Sequence, residues 1–220
     1  MSILVISPHM DDETLGAGGT ILKYTDAGEK VYWLNISNTK EEYGYSEELC
    51  RKREKRYYEV IRRLHITDAV DFKLQPAHLE KYDTGEIINK IGNIVDRIKP
   101  EIIITTSPGD VHSDHKTVFS WAKAFSKSFR NPWLKKFLLM EIVSETDFAL
   151  PMGSFIPNYF VDISDFLEDK IEALKIYEGE MGEHPFPRSV KNIKALAVNR
   201  GTIAGTKYAE AFMLLRCIEK

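Results

Sequence analysis

The sequence predicts a single α/β domain in which a mostly parallel, Rossmann-like sheet carries helices on both faces. Short apolar runs alternate with segments of helical periodicity along the 220 residues, without repeats or a long linker. The chain is 43% hydrophobic and 29% charged, which supplies enough apolar material for a buried core. A chain of this length suits one domain, so we assign residues 1–220 to one domain.

The spacing of apolar residues places the individual elements. Apolar runs bounded by polar residues predict buried strands, and a 3.6-residue period predicts the helices between them. Strands are predicted over residues 3–7, 30–37, 69–74, 101–107, 137–144, 159–163 and 208–216. Helices are predicted over residues 14–28, from the polar loop at 38–48 to near residue 64, over 83–99, over about 116–129, and after Ser164 as a cap.

The helix over 83–99 has the clearest boundaries. Asp83, followed by Glu86 three residues later, resembles a capping box, and Pro100 cannot continue a helix. The apolar residues between them repeat with the helical period, so this helix is expected to pack one face on the sheet.

Composition narrows the class of protein. A formal net charge of -3 argues against a general nucleic-acid-binding surface, and the basic run at 51–63 is interpreted as a solvated helix face. Cys50 and Cys217 lie outside any paired motif, which argues against a disulfide framework and favours a reducing compartment. No apolar run approaches the ~20 residues of a membrane helix, and the run at 3–7 is too short for a signal peptide. We therefore expect a cytoplasmic protein without a membrane span.

Two polar motifs begin where predicted strands end. "SPHMDDE" at 7–13 follows the first strand, and "SPGDVHSDH" at 107–115 follows the fourth. The carboxyl ends of parallel strands meet at one edge of a sheet, where ligands bind in folds of this kind. The two motifs are therefore expected on the same rim of the sheet.

Three consecutive acids stand in the first motif, namely Asp11, Asp12 and Glu13. Like charges at a buried strand end repel one another, and their burial without a partner costs several kcal/mol. An acidic triplet alone is more often the solvated start of a helix, where acids suit the helix dipole. A divalent cation would stabilise such a cluster if the second motif supplied further ligands.

The histidines of the two motifs complete a set of metal ligands. His9 and Asp12 are three residues apart, and His112 and His115 repeat that spacing. A site made of His9, Asp12 and His115 would give two imidazoles, one carboxylate and an open fourth position, as in catalytic zinc sites. Iron(II) is the alternative metal, because His/carboxylate ligands accept both.

The motifs resemble those of a known family. "PHMDDE" resembles the "PHPDDE" signature of the PIG-L/LmbE-like zinc deacetylases, and "HSDH" resembles their "HPDH" motif. The segments "DISDFLEDKIEALKIYEGE", "FPRS", "ALAVNRG" and "YAEAF" resemble the C-terminal blocks of bacterial members. The resemblance extends from Leu4 to Arg216 and implies a hydrolase that removes the N-acetyl group from an N-acetylglucosamine-containing small molecule or glycoconjugate.

The resemblance also implies roles for individual residues. It implies that His9, Asp12 and His115 are zinc ligands, that Asp11 is the general base and that His112 stabilises the oxyanion. These roles suit amide hydrolysis, because the reaction needs an activated water, a proton acceptor and a donor to the developing charge.

Further expectations concern the surroundings of these residues. The resemblance implies that Asp114 orients His112, and a hydrogen bond between Asp114 and the His112 ring is expected to fix the tautomer and favour the imidazolium. The resemblance also implies a substrate-binding Arg in the helix after the second strand, for which Arg53 is the best match and Arg51 the alternative. The family resemblance also implies a homo-oligomer, a trimer or a hexamer.

The chain departs from the family pattern at several places. Met10 and Ser113 replace prolines of the two motifs, and Arg56 stands where a Glu is usual. "LHI" at 64–66 replaces "LGV", and "HPFPRS" reorders the usual "PHPRS". These differences affect the assignment of the substrate-binding Arg and the shape of the pocket rim. They leave the predicted metal ligands unchanged.

Three other interpretations compete with a deacetylase. A dinucleotide site fails because Ile21 stands where "GAGGTI" would need its third glycine, and the acids before it would repel a pyrophosphate. A metal-dependent hydrolase of another amide or of a phosphate ester is the principal alternative. Phosphate-ester sites often hold two metals with more carboxylates than this sequence offers. A catalytically silent scaffold is the third alternative. It is disfavoured because such a protein would have no need of the candidate ligands and catalytic residues of both motifs.

Overall fold

All seven predicted strands are present in the computed structural model, which describes residues 1–219. The strands are β1 Ser2–Ser7, β2 Lys30–Ser37, β3 Asp68–Leu74, β4 Ile102–Thr105, β5 Lys136–Met140, β6 Tyr159–Asp162 and β7 Ala209–Cys217. They form one sheet in the order β3-β2-β1-β4-β5-β7-β6. The five strands from β3 to β5 are parallel, whereas β7 runs antiparallel to both of its neighbours. The predicted mostly parallel, Rossmann-like sheet is confirmed.

Within the described residues 1–219, six α-helices connect the strands. They are α1 Asp12–Asp26, α2 Glu47–Arg63, α3 Thr84–Ile98, α4 Ser113–Ala122, α5 Leu167–Leu174 and α6 Val190–Ala204. The predicted cap of α3 is confirmed, since the Asp83 carboxylate accepts the backbone N–H of Glu86. Helix α6 was not predicted.

The predicted bounds of α4 and the predicted cap of α5 were wrong. Helix α4 begins at Ser113 rather than near 116, because the ring of His112 caps its first turn, and it ends at Ala122 before a short 3-10 turn. Ser164 does not cap α5, which begins at Leu167. Its hydroxyl instead donates to the carboxylate of Asp162.

Both faces of the sheet are covered, as predicted. In β1, Ile3 and Val5 face a core built with α1, α2, α5 and α6, while Leu4 and Ile6 face a core built with α3 and α4. Successive side chains of a strand point to opposite faces, so a strand buried on both faces must be apolar throughout. This explains the unbroken apolar run at the start of the sequence.

Helix α1 packs unusually close to its neighbours, which explains the glycines that follow the acids. A Cβ atom at Gly19 would lie 2.8 Å from Cγ2 of Ile163. The buried ion pair between Lys170 and Glu210 also contacts the backbone of this helix. Lys170 donates to the Leu15 carbonyl, and Glu210 accepts the N–H of Gly19. These two backbone groups are hydrogen-bond partners in a regular α-helix. The glycines therefore serve close packing of the helix that carries Asp12.

Gly19→Ala is expected to lower the free energy of unfolding by about 1–3 kcal/mol, because the added methyl group overpacks the contact with Ile163. Gly92→Ala is the control within α3, where the nearest side chain, Phe125, would lie 3.7 Å away. That change is expected to raise stability by up to about 1 kcal/mol. Urea unfolding measures both. Equal effects of the two substitutions would contradict the close packing of α1.

Candidate active site

The two polar motifs meet at the carboxyl ends of β1 and β4. These strands are neighbours, and Ile6 pairs with Thr105 near their ends. The rings of His9 and His115 lie 5.5 Å apart, although 106 positions separate them in the sequence. The predicted meeting of both motifs on one rim is thus what the structure shows.

His9, Asp12 and His115 form a group that could hold a metal ion. Their candidate ligand atoms all lie within 4.8 Å of one another. Oδ2 of Asp12 lies 3.4 Å from Nδ1 of His9 and 3.4 Å from Nε2 of His115. Oδ1 of Asp12 and Nε2 of His115 are buried without a hydrogen-bond partner among residues 1–219. Buried polar atoms are rarely left unpaired, so these two atoms fit a site that receives a cation.

A second group shares His9 and adds His112 and Asp114. The oxygens of Asp114 already accept backbone N–H groups, from Ala77 at 2.7 Å and from Leu79 at 3.4 Å. Its carboxylate is therefore less available to a metal than that of Asp12.

Asp110 orients His115 and was missed by the sequence analysis. Its Oδ2 lies 2.7 Å from Nδ1 of His115, and its Oδ1 accepts the hydroxyl of Thr146 at 2.9 Å. Carboxylates commonly hold the second nitrogen of a metal-binding imidazole in this way. Asp110 lies within the second motif, but nothing in its spacing distinguishes it from an ordinary turn residue.

The expected hydrogen bond between Asp114 and the His112 ring forms through the backbone of Asp114 and not through its carboxylate. The carboxylate instead lies 2.9 Å from Nε2 of His9, which leaves Nδ1 of that ring facing Asp12. Asp114 contacts His112 through its backbone N–H, which donates to Nδ1 at 3.1 Å. The reason is that His112 caps α4, and a capping side chain accepts an N–H of the first turn.

The electrostatics of the group favour positive charge. Burial opposes protonation of both imidazoles, but the neighbouring carboxylates outweigh it. Asp114 and Asp12 raise the pKa of His9 to about 9, and Asp12 with Asp110 raises that of His115 to about 10. Burial also opposes ionisation of Asp12, yet the contact with His115 holds its pKa well below the usual range. The pocket thus stabilises cations at its centre.

Asp11 stands beside this group in a strained conformation. It is 4% exposed, and its φ of 133° is rare for a residue with a side chain. The buried Glu13 accepts its backbone N–H at 3.1 Å, and the Tyr177 hydroxyl donates to the same Glu13 carboxylate at 2.5 Å. These contacts hold Asp11 in the direction of the cavity rather than in a regular helical turn.

Arg188 contacts the Asp11 carboxylate and was also missed as a site residue. Its Nη1 donates to Oδ2 of Asp11, and its Nε donates to the Ser144 hydroxyl at 2.9 Å. Burial and the charge of Asp12 raise the pKa of Asp11 to about 8, and Arg188 opposes this rise. Arg188 belongs to the "FPRS" segment, which the sequence analysis quoted without assigning it a role.

An open cavity joins these residues to the surface. Arg53 lines it, and its Nη2 lies 3.3 Å from Oε1 of Glu180. Arg51, the alternative, is outside this lining and pairs with Glu47 on an exposed face of α2. The full lining consists of His9, Met10, Asp11, Ser37, Thr39, Tyr45, Leu49, Arg53, Pro76, Ala77, His112, Glu145, Glu180 and Arg188.

Within residues 1–219, no helix combines the length and the apolar character that a membrane crossing requires.

Comparison with known proteins gives related enzymes. The family model described as PIG-L, GlcNAc-PI de-N-acetylase, matches residues 4–126. A diacetylchitobiose deacetylase of Thermococcus kodakarensis is 29% identical over 94% of this chain and 80% of its own. A probable N-acetyl-alpha-D-glucosaminyl L-malate deacetylase 2 of Bacillus cereus is 26% identical over 81% of this chain and 83% of its own. The structure of an N,N'-diacetylchitobiose deacetylase from Pyrococcus horikoshii, complexed with its inhibitor MPG, superposes with a TM-score of 0.77. It is 24% identical and covers 98% of this chain and 84% of that one.

Asp110→Ala is expected to weaken zinc binding ~10–100-fold, because His115 loses the carboxylate that orients its ring. Competition against a chelating indicator measures the affinity. Asp96→Ala, which removes an exposed carboxylate from α3, is the control and should leave the affinity unchanged. Unaltered zinc affinity in the Asp110 variant would show that this carboxylate does not support the metal site.

Proposed function

Because the chain belongs to the PIG-L family, we propose that it is a metal-dependent hydrolase that removes the N-acetyl group from N-acetylglucosamine-containing small molecules or glycoconjugates. The observation that carries the proposal is the group formed by the half-buried His9 and the buried Asp12 and His115 on the rim of the sheet. The names of two relatives support the substrate class, since both are deacetylases of N-acetylglucosamine compounds.

Zinc is the proposed metal, with iron(II) as the alternative. His9 would bind through Nδ1 and His115 through Nε2, because Asp114 and Asp110 occupy their other nitrogens. Two imidazoles and one carboxylate leave a coordination position free, as catalytic zinc sites do. A bound zinc ion would supply Lewis-acid polarisation of the amide carbonyl and a water acidified to a pKa of about 7.

Asp11 is the proposed general base. Asp11 lines the cavity next to Asp12, the proposed metal ligand, and it is 4% exposed. From that position it would accept the proton of the attacking water and return it to the departing amine. Arg188 would keep the carboxylate aimed into the cavity by donating to one of its oxygens.

His112 is the proposed donor to the oxyanion. Nδ1 of its ring accepts the N–H of Asp114, so in the neutral ring the proton lies on Nε2. The ring lines the same cavity and could donate that N–H to the tetrahedral oxygen. Asp114 would thus fix the tautomer of His112 through its backbone and the orientation of His9 through its carboxylate.

The substrate would lie in the cavity between these residues and α2. Arg53 is proposed to contact the sugar unit, because its guanidinium lines the cavity that Asp11 and His112 also line. We further propose a homo-oligomer, a trimer or a hexamer, which light scattering coupled to gel filtration would measure.

The direct test of the function is amine release. Zinc-loaded protein is incubated with N,N'-diacetylchitobiose, with N-acetylglucosaminyl malate and with an aryl phosphate, and free amine and phosphate are quantified. We expect free amine from at least one N-acetylglucosamine compound, none after chelation, and one zinc ion per chain. Release of phosphate with about two metals per chain would favour a phosphate-ester hydrolase instead.

Asp11→Asn is expected to reduce kcat about 10²–10⁴-fold while the chain keeps its zinc, since the amide cannot accept a proton. His115→Ala is the comparison variant, and it should lose both activity and bound metal. Amine release and elemental analysis of each purified variant give the two readouts. An Asp11→Asn protein with wild-type turnover would remove Asp11 from the role of base.

A further inference from the structure

The carboxylate of Glu180 lies between two guanidinium groups at the cavity. Its Oε1 is 3.3 Å from Nη2 of Arg53, and its Oε2 is 3.2 Å from Nη1 of Arg188. The side chain of Glu180 is 37% exposed and that of Arg188 is 14% exposed, so this contact extends from the mouth inward. Glu180 therefore links Arg53 of helix α2 to Arg188, which lies in the same loop as Glu180 before α6.

Both guanidinium groups of the cavity lining are paired with carboxylates. Its lining holds three carboxylates, those of Asp11, Glu145 and Glu180, and the guanidiniums of Arg53 and Arg188. Arg188 faces all three carboxylates, since Glu145 lies 3.6 Å from its Nη2. Arg53 is the remaining guanidinium of this lining, and Glu180 already faces it. An anionic group that enters the cavity would thus find each guanidinium opposed by a carboxylate.

We infer that Glu180 is a specificity-determining residue that restricts the site to N-acetylglucosamine joined to an uncharged group, such as a second sugar. The inference rests on the proposed function and refines its substrate class. A carboxylate or phosphate on the aglycone would have to displace Glu180 from Arg53 and lie near like charge, which disfavours binding. An uncharged sugar avoids this cost and can pack on Tyr45 and Leu49 of the same lining.

The chain contains a matched control for Glu180. Glu178 stands two residues earlier in the same loop and also pairs with an Arg of α2, since its Oε2 lies 2.6 Å from Nη2 of Arg56. Neither Glu178 nor Arg56 lines the cavity. Glu178→Gln therefore removes the same charge from the same loop without changing the charge of the site.

Two substrates that differ in one terminal group, which is neutral in one and anionic in the other, test the inference. N,N'-diacetylchitobiitol and N,N'-diacetylchitobionate share the linkage and the open-chain second unit, and end in an alcohol and a carboxylate respectively. We expect zinc-loaded protein to prefer the alditol ~10-fold or more in kcat/KM, with the difference in KM. Glu180→Gln should narrow this preference ~5-fold or more, because Arg53 becomes free to face the carboxylate. Glu178→Gln should leave the preference within about two-fold of wild type.

The outcomes separate this inference from the proposed function. Equal use of both substrates by the wild-type protein, or a preference for the carboxylate, would overturn the role of Glu180 while leaving the deacetylase intact. An equal change of the substrate preference in Glu180→Gln and Glu178→Gln would also overturn the role of Glu180. If neither substrate releases amine in the zinc-loaded protein and the compounds of the first screen also fail, the proposed function itself is wrong and the inference falls with it.

Discussion

The site depends on one alternating row of carboxylates and imidazoles, in which Asp12 occupies the centre. From end to end the row reads Asp114, His9, Asp12, His115 and Asp110, with contacts of 2.9, 3.4, 3.4 and 2.7 Å. With both rings protonated, three carboxylates and two imidazoliums leave one negative charge. With both rings neutral and a divalent cation bound, the row again carries one negative charge. A divalent metal can therefore replace two protons here without changing the buried charge, and such ligand sets release protons as they bind metal.

The topology of the sheet explains why this row forms where it does. From β1 the chain proceeds to β2 and β3 on one side, and from β4 to β5 on the other. The loops after β1 and β4 therefore leave neighbouring strands toward opposite sides and open a crevice between them. Close packing of α1 at Gly19 and the ion pair between Lys170 and Glu210 hold the helix that begins with Asp12. Rigid elements thus fix the ligands, while loops form the rest of the cavity.

The sequence alone predicted whatever depends on local pattern. Apolar runs located all seven strands, and the two motifs located the candidate ligands, because strand ends and ligand spacing are local properties. Helix α6 was missed because its apolar residues do not form one stripe: Val198 and Ile203 are exposed. Arg188 reaches Asp11 across 177 positions, and no periodicity encodes such a contact. Asp110 and Glu180 were missed for a related reason: the partner of an acid in a loop cannot be identified before the chain has folded.

The two halves of the chain contribute different residues to the cavity. The family model covers residues 4–126, which include the metal group and both proposed catalytic residues, Asp11 and His112. Glu145, Glu180 and Arg188 lie beyond that segment, yet they line the same cavity. Catalysis needs reactive side chains held at fixed distances from one another. Selection among aglycones depends instead on the charge and shape of the cavity wall. The second half of the chain therefore contributes charge to the cavity wall through Glu145 and Glu180, and it also contacts the reactive groups, since Arg188 pairs with Asp11 and Thr146 donates to Asp110.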